Sequence, residues 1–157
     1  MPRRAALVLL VVLAAACSSD PPEYRVTLDT DLGREPAIQM PDGEPPGELL
    51  VQDVVTGEGE VLREGDTFTV HYVGVSWQRR EIFDRTWPGE PASFGWDGVI
   101  DGWRRGIAGM RVGGRRGLVV PPELGYDDGE TMIFVVDLLG VQRPAEVGAG
   151  AGEAPAP

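Results

Sequence analysis

The sequence predicts an α+β domain, in which an antiparallel β-sheet curls around one short α-helix. Thr67–Val75 alternates between apolar and polar side chains, which is typical of a strand with one buried face. Thr131–Val141 is apolar on both of its faces, which indicates a strand at the centre of the sheet. Asp101–Gly109 is the segment with helical character. Strands and a short helix bury their apolar faces together when the sheet folds over the helix.

The strands follow from alternation and from the residues that interrupt it. In chain order they are predicted at Leu49–Val55, Thr67–Val75, near Glu81–Phe83, Arg115–Val120 and Thr131–Val141. One face of the second strand is predicted to carry Phe68, Val70 and Tyr72, and the other Thr67, Thr69 and His71. The fourth strand stops at Pro121-Pro122, because proline cannot donate to the ladder. One face of the last strand carries Met132, Phe134, Val136 and Leu138, and the opposite face Ile133, Val135 and Leu139.

The predicted helix is unusually rich in glycine. Gly102, Gly106 and Gly109 lie in it, and each glycine inside a helix costs about 0.5–1 kcal/mol relative to alanine. Such a helix depends on packing, so the sheet is expected to surround it and Trp103 to point into the concavity. Asp101 is predicted to be the N-cap, because a carboxylate at that position accepts from the first free amides.

Composition divides the 157 residues into segments. Met1–Ala16 is predicted to be a signal peptide, since Arg3 and Arg4 precede an apolar run that ends in small residues. Residues 17–48 are rich in Pro, Asp and Gly and are predicted to be a tether, with a short strand near Ala37–Met40 as an option. Residues 49–143 form the folded domain. Residues 144–157 are expected to be a disordered tail, because they contain too little apolar matter to fold.

Cys17, the only cysteine, follows the small residues Ala14 and Ala16 directly. This arrangement resembles a bacterial lipobox, in which the cysteine is lipidated and becomes the new N-terminus. Ala14 stands where lipoproteins favour leucine. The expectation is an exported protein held by a lipid anchor on the extracytoplasmic face of the cell membrane, and the alternative is ordinary secretion.

Charge and composition exclude several classes of function. The formal net charge is −11, which argues against nucleic acid as a partner. With one cysteine there is no internal disulfide, so the fold must rest on its core. A run of arginines either contacts anionic lipid or, as the plainer interpretation, forms a solvated face; it comprises Arg104, Arg105, Arg111, Arg115 and Arg116.

The sequence offers little to a nucleophilic or metal-dependent enzyme. His71 is the only histidine and lies on the polar face of its strand, so a Ser-His-Asp or Cys-His arrangement and a zinc site are both unexpected. Gly113-Gly114 precedes a strand, unlike the glycines of a phosphate-binding loop. Asp127-Asp128 is interpreted as a turn. No metal and no cofactor are expected.

Aromatic side chains remain as the notable feature of the domain. They are Tyr72, Phe83, Phe94, Trp103, Tyr126 and Phe134. An apolar cup with few polar groups is typical of a ligand site, but the residues alone favour the plainer interpretation that these side chains form the core. The pattern of residues does not by itself decide between these two interpretations.

The order of motifs resembles one known family. The segments VHYVG, FD, GVIDGWRRGIAGMRVGGRR, VPPELGY and IFVVDLL follow one another as in the FKBP family of peptidyl-prolyl cis-trans isomerases, the macrolide-binding immunophilins. The resemblance spans about Leu49–Gln142. It implies an antiparallel sheet curled around one short helix, with the tryptophan at the helix start as the floor of a proline pocket.

The resemblance also implies a set of site residues. Catalytic roles are implied for Tyr72, Phe83, Asp84, Trp103 and Tyr126, and substrate-binding roles for Phe94, Val99, Ile100 and Phe134. The Tyr126 hydroxyl and the Ile100 amide would hold substrate carbonyls. Asp84 would orient Tyr72 or meet the carbonyl of the twisting bond. The implied partners are proline-containing unfolded or exported polypeptides, and macrolides of the rapamycin type.

Two positions depart from the family pattern. Ala92 stands where the family has the first aromatic of an aromatic-x-aromatic element, and the loop after Tyr126 is shortened to Asp127–Gly129. One wall of the pocket is therefore expected to be thinner and more acidic. The resemblance implies a prolyl isomerase that assists folding in the cell envelope. The alternative is a non-catalytic or weakly catalytic chaperone and peptide-binding module.

Overall fold

A six-stranded antiparallel sheet packs against one short helix in the computed structural model, which describes residues 30–126 and 128–144. The strands are β1 (Leu50–Val55), β2 (Thr67–Ser76), β3 (Ile82–Arg85), β4 (Ala92–Gly95), β5 (Arg115–Val120) and β6 (Met132–Gln142), and the helix is α1 (Asp101–Ile107). Two 3₁₀ turns, Trp96–Gly98 and Pro122–Leu124, precede α1 and follow β5. The predicted fold class is confirmed.

The strand order is β1-β5-β6-β2-β3, and β4 also pairs with β2. β6 lies between β5 and β2, and its pairing with β2 runs from Thr67 opposite Gln142 to Ser76 opposite Met132. The prediction of a central last strand is therefore confirmed. Both of its faces are apolar because both are covered, the inner face by α1 and the outer face by a second cluster of side chains.

The inner face of the sheet carries the main core. The predicted alternation in β2 and β6 is observed there, with Phe68, Val70, Met132, Phe134, Val136 and Leu138 packed together with Trp103 and Ile107 of the helix. Each of these side chains is at most 4% exposed. At roughly 1.5–3 kcal/mol for each large apolar side chain, this cluster dominates the stability of the domain.

Two glycines allow α1 to lie directly on β5. A Cβ atom at Gly102 would be 2.3 Å from Cγ1 of Val120, and one at Gly106 would be 2.6 Å from Cδ2 of Leu118. No real Cβ makes such contacts, so a larger residue at either position would push the helix away from the sheet. The glycines weaken the helix locally, but they permit the close packing that buries it.

The helix begins and ends differently from the prediction. Ile100 occupies the N-cap position with extended backbone angles, and it makes no side-chain capping bond. Asp101 is instead the first helical residue, and its carboxylate accepts from the Arg104 guanidinium in the same turn. The N-cap prediction was wrong, although an acidic residue in the first turn still favours the helix dipole. The helix stops before Gly109, which has a φ of 74°.

β4 was not predicted. Its sequence, Ala-Ser-Phe-Gly, is short and lacks the β-branched residues that mark a strand. Pairing with the first half of β2 creates it, from Thr67 opposite Gly95 to Val70 opposite Ala92. This strand is thus a product of tertiary contact rather than of local preference.

Residues 34–43 lie against the outer face of the sheet, although they fall within the predicted tether. We call this segment the N-terminal strap. Ile38 and Met40 pack on a cluster that comprises Val73, Val75, Trp77, Val119 and Ile133. The Trp77 indole also donates to the carbonyl oxygen of Gly43 at 3.1 Å. In place of the suggested strand near Ala37–Met40, Gln39 forms a single β-bridge.

A buried ion pair lies beneath the strap. Arg115 of β5 donates to both carboxylate oxygens of Asp137 of β6, each at 2.6 Å, and both side chains are buried. The same guanidinium donates to the carbonyl oxygen of Arg34 at 3.0 Å. Burial raises the pKa of Asp137, and the Arg115 guanidinium opposes that rise. Such a pair is tolerable in the interior because its hydrogen bonds are so fully satisfied.

Several segments predicted from composition lie outside the described residues. These are the signal peptide, Cys17, residues 17–29 of the tether, and residues 145–157 of the tail. Within the parts of the chain that the structure does describe, no helix has the length and apolar character needed to cross a bilayer.

We expect Gly106→Ala to destabilise the domain by about 1–3 kcal/mol, because the added methyl group collides with Leu118 and overpacking of a core costs about that much. The gain in helix propensity is smaller than this cost. Urea unfolding measures the change in the free energy of unfolding. Gly47→Ala is the control, since a Cβ there would meet nothing within 4 Å. Equal or greater stability of Gly106→Ala would refute the close packing.

Candidate functional site

A cavity of about 180 Å³ opens on the inner side of the sheet, beside the start of α1. Its lining comes from four of the strands, the turn before α1, α1 itself and the turn after β5. The lining residues are Tyr72, Asp84, Phe94, Gly98, Val99, Ile100, Trp103, Tyr126 and Phe134. Elements far apart in sequence therefore meet here, and most of what they contribute is aromatic or aliphatic.

Trp103 forms the floor of the cavity. The rings of Tyr72, Phe94 and Phe134 meet the indole nearly edge-on, with centroids 5.2, 5.8 and 5.4 Å away and interplanar angles of 87°, 77° and 87°. Edge-to-face contacts at these distances are favourable beyond simple burial. The indole is 4% exposed, so it is fixed between its neighbours, and the three rings form walls roughly perpendicular to it.

Tyr72 and Asp84 are the polar pair of the cavity. The Tyr72 hydroxyl donates to Oδ2 of Asp84 at 2.6 Å. Burial, and then the bond to Asp84, raise the pKa of the Tyr72 phenol well above its usual value. The phenol therefore stays neutral throughout the physiological range. Its proton is committed to Asp84, so this pair presents carboxylate and hydroxyl oxygens to the cavity in a fixed orientation.

Two further groups can bind a carbonyl oxygen at the mouth. Ile100 is the N-cap residue of α1, where the first amides of a helix have no partner within the helix. Tyr126 follows the 3₁₀ turn after β5 and is 61% exposed, so its hydroxyl reaches solvent. Both residues line the cavity, at the positions that the resemblance implied for carbonyl binding.

Phe83 lies beside the cavity and is not part of its lining. Its ring meets Phe134 edge-on, with centroids 5.7 Å apart. The contact passes over Gly74, where a Cβ atom would be 2.8 Å from Cζ of Phe83 and 2.9 Å from Cε1 of Phe134. Phe83 is therefore a support of the wall formed by Phe134. The other eight residues that were predicted for the site all line the cavity.

Gly98 and Gly74 are site residues that the sequence interpretation missed. Gly98 ends the 3₁₀ turn before α1 and lines the cavity directly. Gly74 acts by leaving space for two rings. The available signal for Gly74 was its position: it is a glycine in the interior of a strand, and such a glycine often marks a close approach.

The predicted weak wall can be located only in part. Ala92 lies on β4, where it pairs with Val70 of β2. It is on the same side of β4 as Phe94, two residues along, and it is half-buried. It is not among the residues that line the cavity. In the shortened loop, Asp128 accepts from the amide of Glu130 at 3.0 Å, as expected of a turn, while Asp127 lies outside the described residues.

The described residues include no cluster of three or more His, Cys, Asp or Glu side chains that could hold a metal ion. His71 lies away from the cavity lining. Its ring stacks on Trp87 with centroids 4.0 Å apart, and Nδ1 is 2.8 Å from the Thr86 hydroxyl. The chemistry available at the cavity is thus that of an apolar surface with one hydrogen-bonded acid and a few carbonyl-binding groups.

A family model, two curated relatives and a solved structure all match this chain to one protein family. A family model described as FKBP-type peptidyl-prolyl cis-trans isomerase matches residues 59–139. An FK506-binding protein from Streptomyces anulatus is 44% identical over 120 residues, which cover 68% of this chain and 97% of that protein. A probable FK506-binding protein from Corynebacterium glutamicum is 41% identical over 114 residues, covering 67% of this chain and 97% of the other.

Among solved structures, FkpA from Escherichia coli is similar with a TM-score of 0.57 and 39% identity, over 60% of this chain and 48% of that one. The family match covers more than half of the chain, and the two relatives match over nearly their whole length. The residues that line the cavity belong to the same sequence motifs that resemble this family. The chain belongs to the FKBP-type peptidyl-prolyl cis-trans isomerase family.

Proposed function

We propose that the cavity binds the proline of an X-Pro segment against Trp103 and that rotation of the X-Pro bond takes place there. The observation that carries the proposal is the indole floor, which three aromatic edges surround at 5.2–5.8 Å. A compact pyrrolidine ring fits an apolar site of about 180 Å³. The reaction proposed for these residues is cis-trans isomerisation.

The chemistry needs an apolar environment more than a reactive group. Rotation breaks amide resonance against a barrier of roughly 18–20 kcal/mol, so the uncatalysed step takes tens to hundreds of seconds. The planar amide is more polar than the twisted one, because resonance separates charge. An apolar site therefore favours the twisted amide relative to the planar one, which is the differential effect that catalysis requires.

The polar groups then hold the substrate on either side of the rotating bond. The Ile100 amide and the Tyr126 hydroxyl bind substrate carbonyls, so the flanking chain is fixed while the bond turns. Asp84, oriented by its 2.6 Å bond from Tyr72, faces the carbonyl of the twisting amide. Phe94, Val99 and Phe134 exclude water from the ring. None of these steps uses a nucleophile or a cofactor.

The partners follow from the same surface. We infer that this chain takes proline-containing segments of unfolded polypeptides, and that macrolides of the rapamycin type occupy the same cavity. The names of the Streptomyces and Corynebacterium relatives, FK506-binding proteins, support the second inference. In both cases the occupant places an apolar ring on Trp103.

We further propose that the domain works outside the cytoplasm, held to the membrane by a lipid on Cys17. The support is the sequence before the domain: a basic start, an apolar run, small residues and then cysteine. The clients would then be exported proteins that fold in the cell envelope.

A second candidate function is a chaperone module with little catalysis. The 61% exposure of Tyr126 favours it, because it leaves the mouth of the cavity open. An open mouth binds extended chains but excludes water less completely. Measurement of kcat/KM on a short proline peptide, by protease-coupled or NMR exchange assay, separates the two functions.

Trp103→Leu is expected to keep a cooperative fold with a stability loss of about 1–3 kcal/mol, because a large apolar group remains but the shape is wrong. Peptide and macrolide affinity should fall sharply, since the floor is gone. Trp77→Leu is the matched control, because Trp77 is equally buried but on the outer face. Calorimetric titration and kcat/KM measure the effect. Similar losses of binding in both variants would mean that Trp103 is only part of the core.

Ala92→Phe is expected to raise kcat/KM about tenfold, because burial of an aromatic side chain is worth about 1.5–3 kcal/mol and about 1.4 kcal/mol is a factor of ten. The gain requires that the new ring extends the wall beside Phe94. Ser93→Phe is the control, because Ser93 is exposed and faces the other side of β4. An unmodified protein with full family-level activity, or no gain from Ala92→Phe, would disprove the missing wall.

Cys17→Ser is expected to move the protein out of the membrane fraction, because it removes the atom that would carry the lipid. Cell fractionation with immunodetection measures this, and mass spectrometry of the wild-type protein should find the acyl modification on Cys17. The control is Ser18→Ala, a substitution at the residue after Cys17 that leaves the thiol in place. If the Cys17→Ser protein is still found in the membrane fraction, the proposal of a lipid anchor on Cys17 is wrong.

A further inference from the structure

The Tyr72–Asp84 bond joins two strands whose pairing is weak. Asp84 belongs to β3, a strand of four residues that ends the sheet order and is exposed throughout. Its pairing with β2 shifts register between Gly74 and Val75. A short, irregular edge strand does not by itself hold a side chain to within a few tenths of an ångström. Some other contact has to fix β3 against β2 at Tyr72.

Thr86, the residue after β3, provides that contact. Its hydroxyl oxygen accepts from the amide of Tyr72 at 3.0 Å and lies 3.4 Å from the Tyr72 carbonyl oxygen. Its own amide donates to the same carbonyl at 3.1 Å. Both main-chain polar groups of Tyr72 are therefore held by one residue that lies two positions from Asp84.

His71 completes this arrangement. Its Nδ1 is 2.8 Å from the Thr86 hydroxyl, and its ring is held by stacking on Trp87 at 4.0 Å. A hydroxyl has one hydrogen and two acceptor positions. The Tyr72 amide occupies one acceptor position, and the hydrogen can be given to Nδ1 of His71 or to the Tyr72 carbonyl. The hydroxyl thus has a partner whichever ring nitrogen of His71 carries a proton.

We propose that Thr86 is a positioning residue for the isomerisation: its hydroxyl fixes the main chain of Tyr72 and thereby places the phenol against Asp84 and the cavity. Thr86 does not line the cavity, so it acts only through these two residues. The inference rests on the function proposed above for Tyr72 and Asp84. A search for site residues by motif alone would pass over Thr86, because its contacts are to the main chain.

The test compares three variants. Thr86→Val removes the hydroxyl at nearly constant volume, and Thr86→Ser retains it. Thr69→Val is the matched control, because the Thr69 hydroxyl also bonds to a neighbouring strand: it lies on β2 and its partner is Ser93 of β4, at 2.8 Å and away from Tyr72. We expect Thr86→Val to lower kcat/KM about tenfold, which corresponds to about one lost hydrogen bond. Thr86→Ser should restore it to within about twofold, and Thr69→Val should leave it unchanged.

A second readout reports on Tyr72 directly. The hydroxyl proton of a phenol that is hydrogen-bonded to a carboxylate gives a downfield NMR signal. The signal is assigned to Tyr72 if it is absent from the spectrum of Tyr72→Phe. We expect this signal to weaken or disappear in Thr86→Val and to persist in Thr86→Ser and Thr69→Val. A residue with a merely structural role would lower the free energy of unfolding but leave the signal in place.

The outcomes are separable. Wild-type kcat/KM and an unchanged Tyr72 signal in Thr86→Val would overturn the proposal, and so would a fall in kcat/KM with the signal unchanged. If Thr86→Val does not fold, Thr86→Ala removes the same hydroxyl without any risk of overpacking. Failure of both variants to fold would also overturn the proposal, because it would show that Thr86 has a general structural role. A wild-type protein without isomerase activity would refute the proposed function, while the Tyr72 signal would still decide the role of Thr86.

Discussion

The contact between α1 and β5 is the constraint on which the site depends. Gly102 and Gly106 allow the helix backbone to approach Val120 and Leu118 to within distances that no side chain would permit. Trp103, which follows Gly102, is thereby placed deep in the concavity of the sheet with 4% of its surface exposed. The surrounding rings can then meet the indole edge-on, so the floor and walls of the cavity follow from this one approach. A helix of better intrinsic propensity would stand farther from the sheet and could not place the indole there.

Elements with a strong pattern of their own could be predicted from the sequence, and elements that depend on contacts with distant segments could not. The apolar patterns of β2 and β6 are strong, so their faces and the central place of β6 were predictable. β4 and the N-terminal strap carry no such pattern, since β4 is held by its pairing with β2 and the strap by its packing on the outer face of the sheet. Asp101 was assigned as the cap because its type suits the position, but the helix starts one residue earlier than a cap there would require, and its carboxylate bonds to Arg104.

The site residues show the same division. Motifs of the FKBP family indicated the side chains that line the cavity, because those side chains are what the motifs consist of. Phe83 was expected among them and instead supports Phe134 from the side. Gly74 matters through an absent Cβ atom, for which its place inside a strand was the one signal, and Thr86 matters through main-chain hydrogen bonds, which have no sequence pattern of their own. The two faces of the sheet also differ in their polar content: the cavity has a neutral phenol bonded to an acid, while the outer face has a fully buried ion pair.

The strap has a mechanical consequence. The contacts that hold it include the bond from Arg115 to the carbonyl of Arg34 and the ion pair of Glu35 with Arg85 at 2.9 Å. Tension that enters the domain from residues before Arg34 is therefore passed by these bonds to β5 and β3, the strands that carry Arg115 and Arg85. The aromatic cavity lies on the opposite side of the sheet, but Arg85 is the neighbour of the cavity residue Asp84. A pull on the strap would therefore act on the outer face and reach the cavity through β3, the strand that carries Asp84.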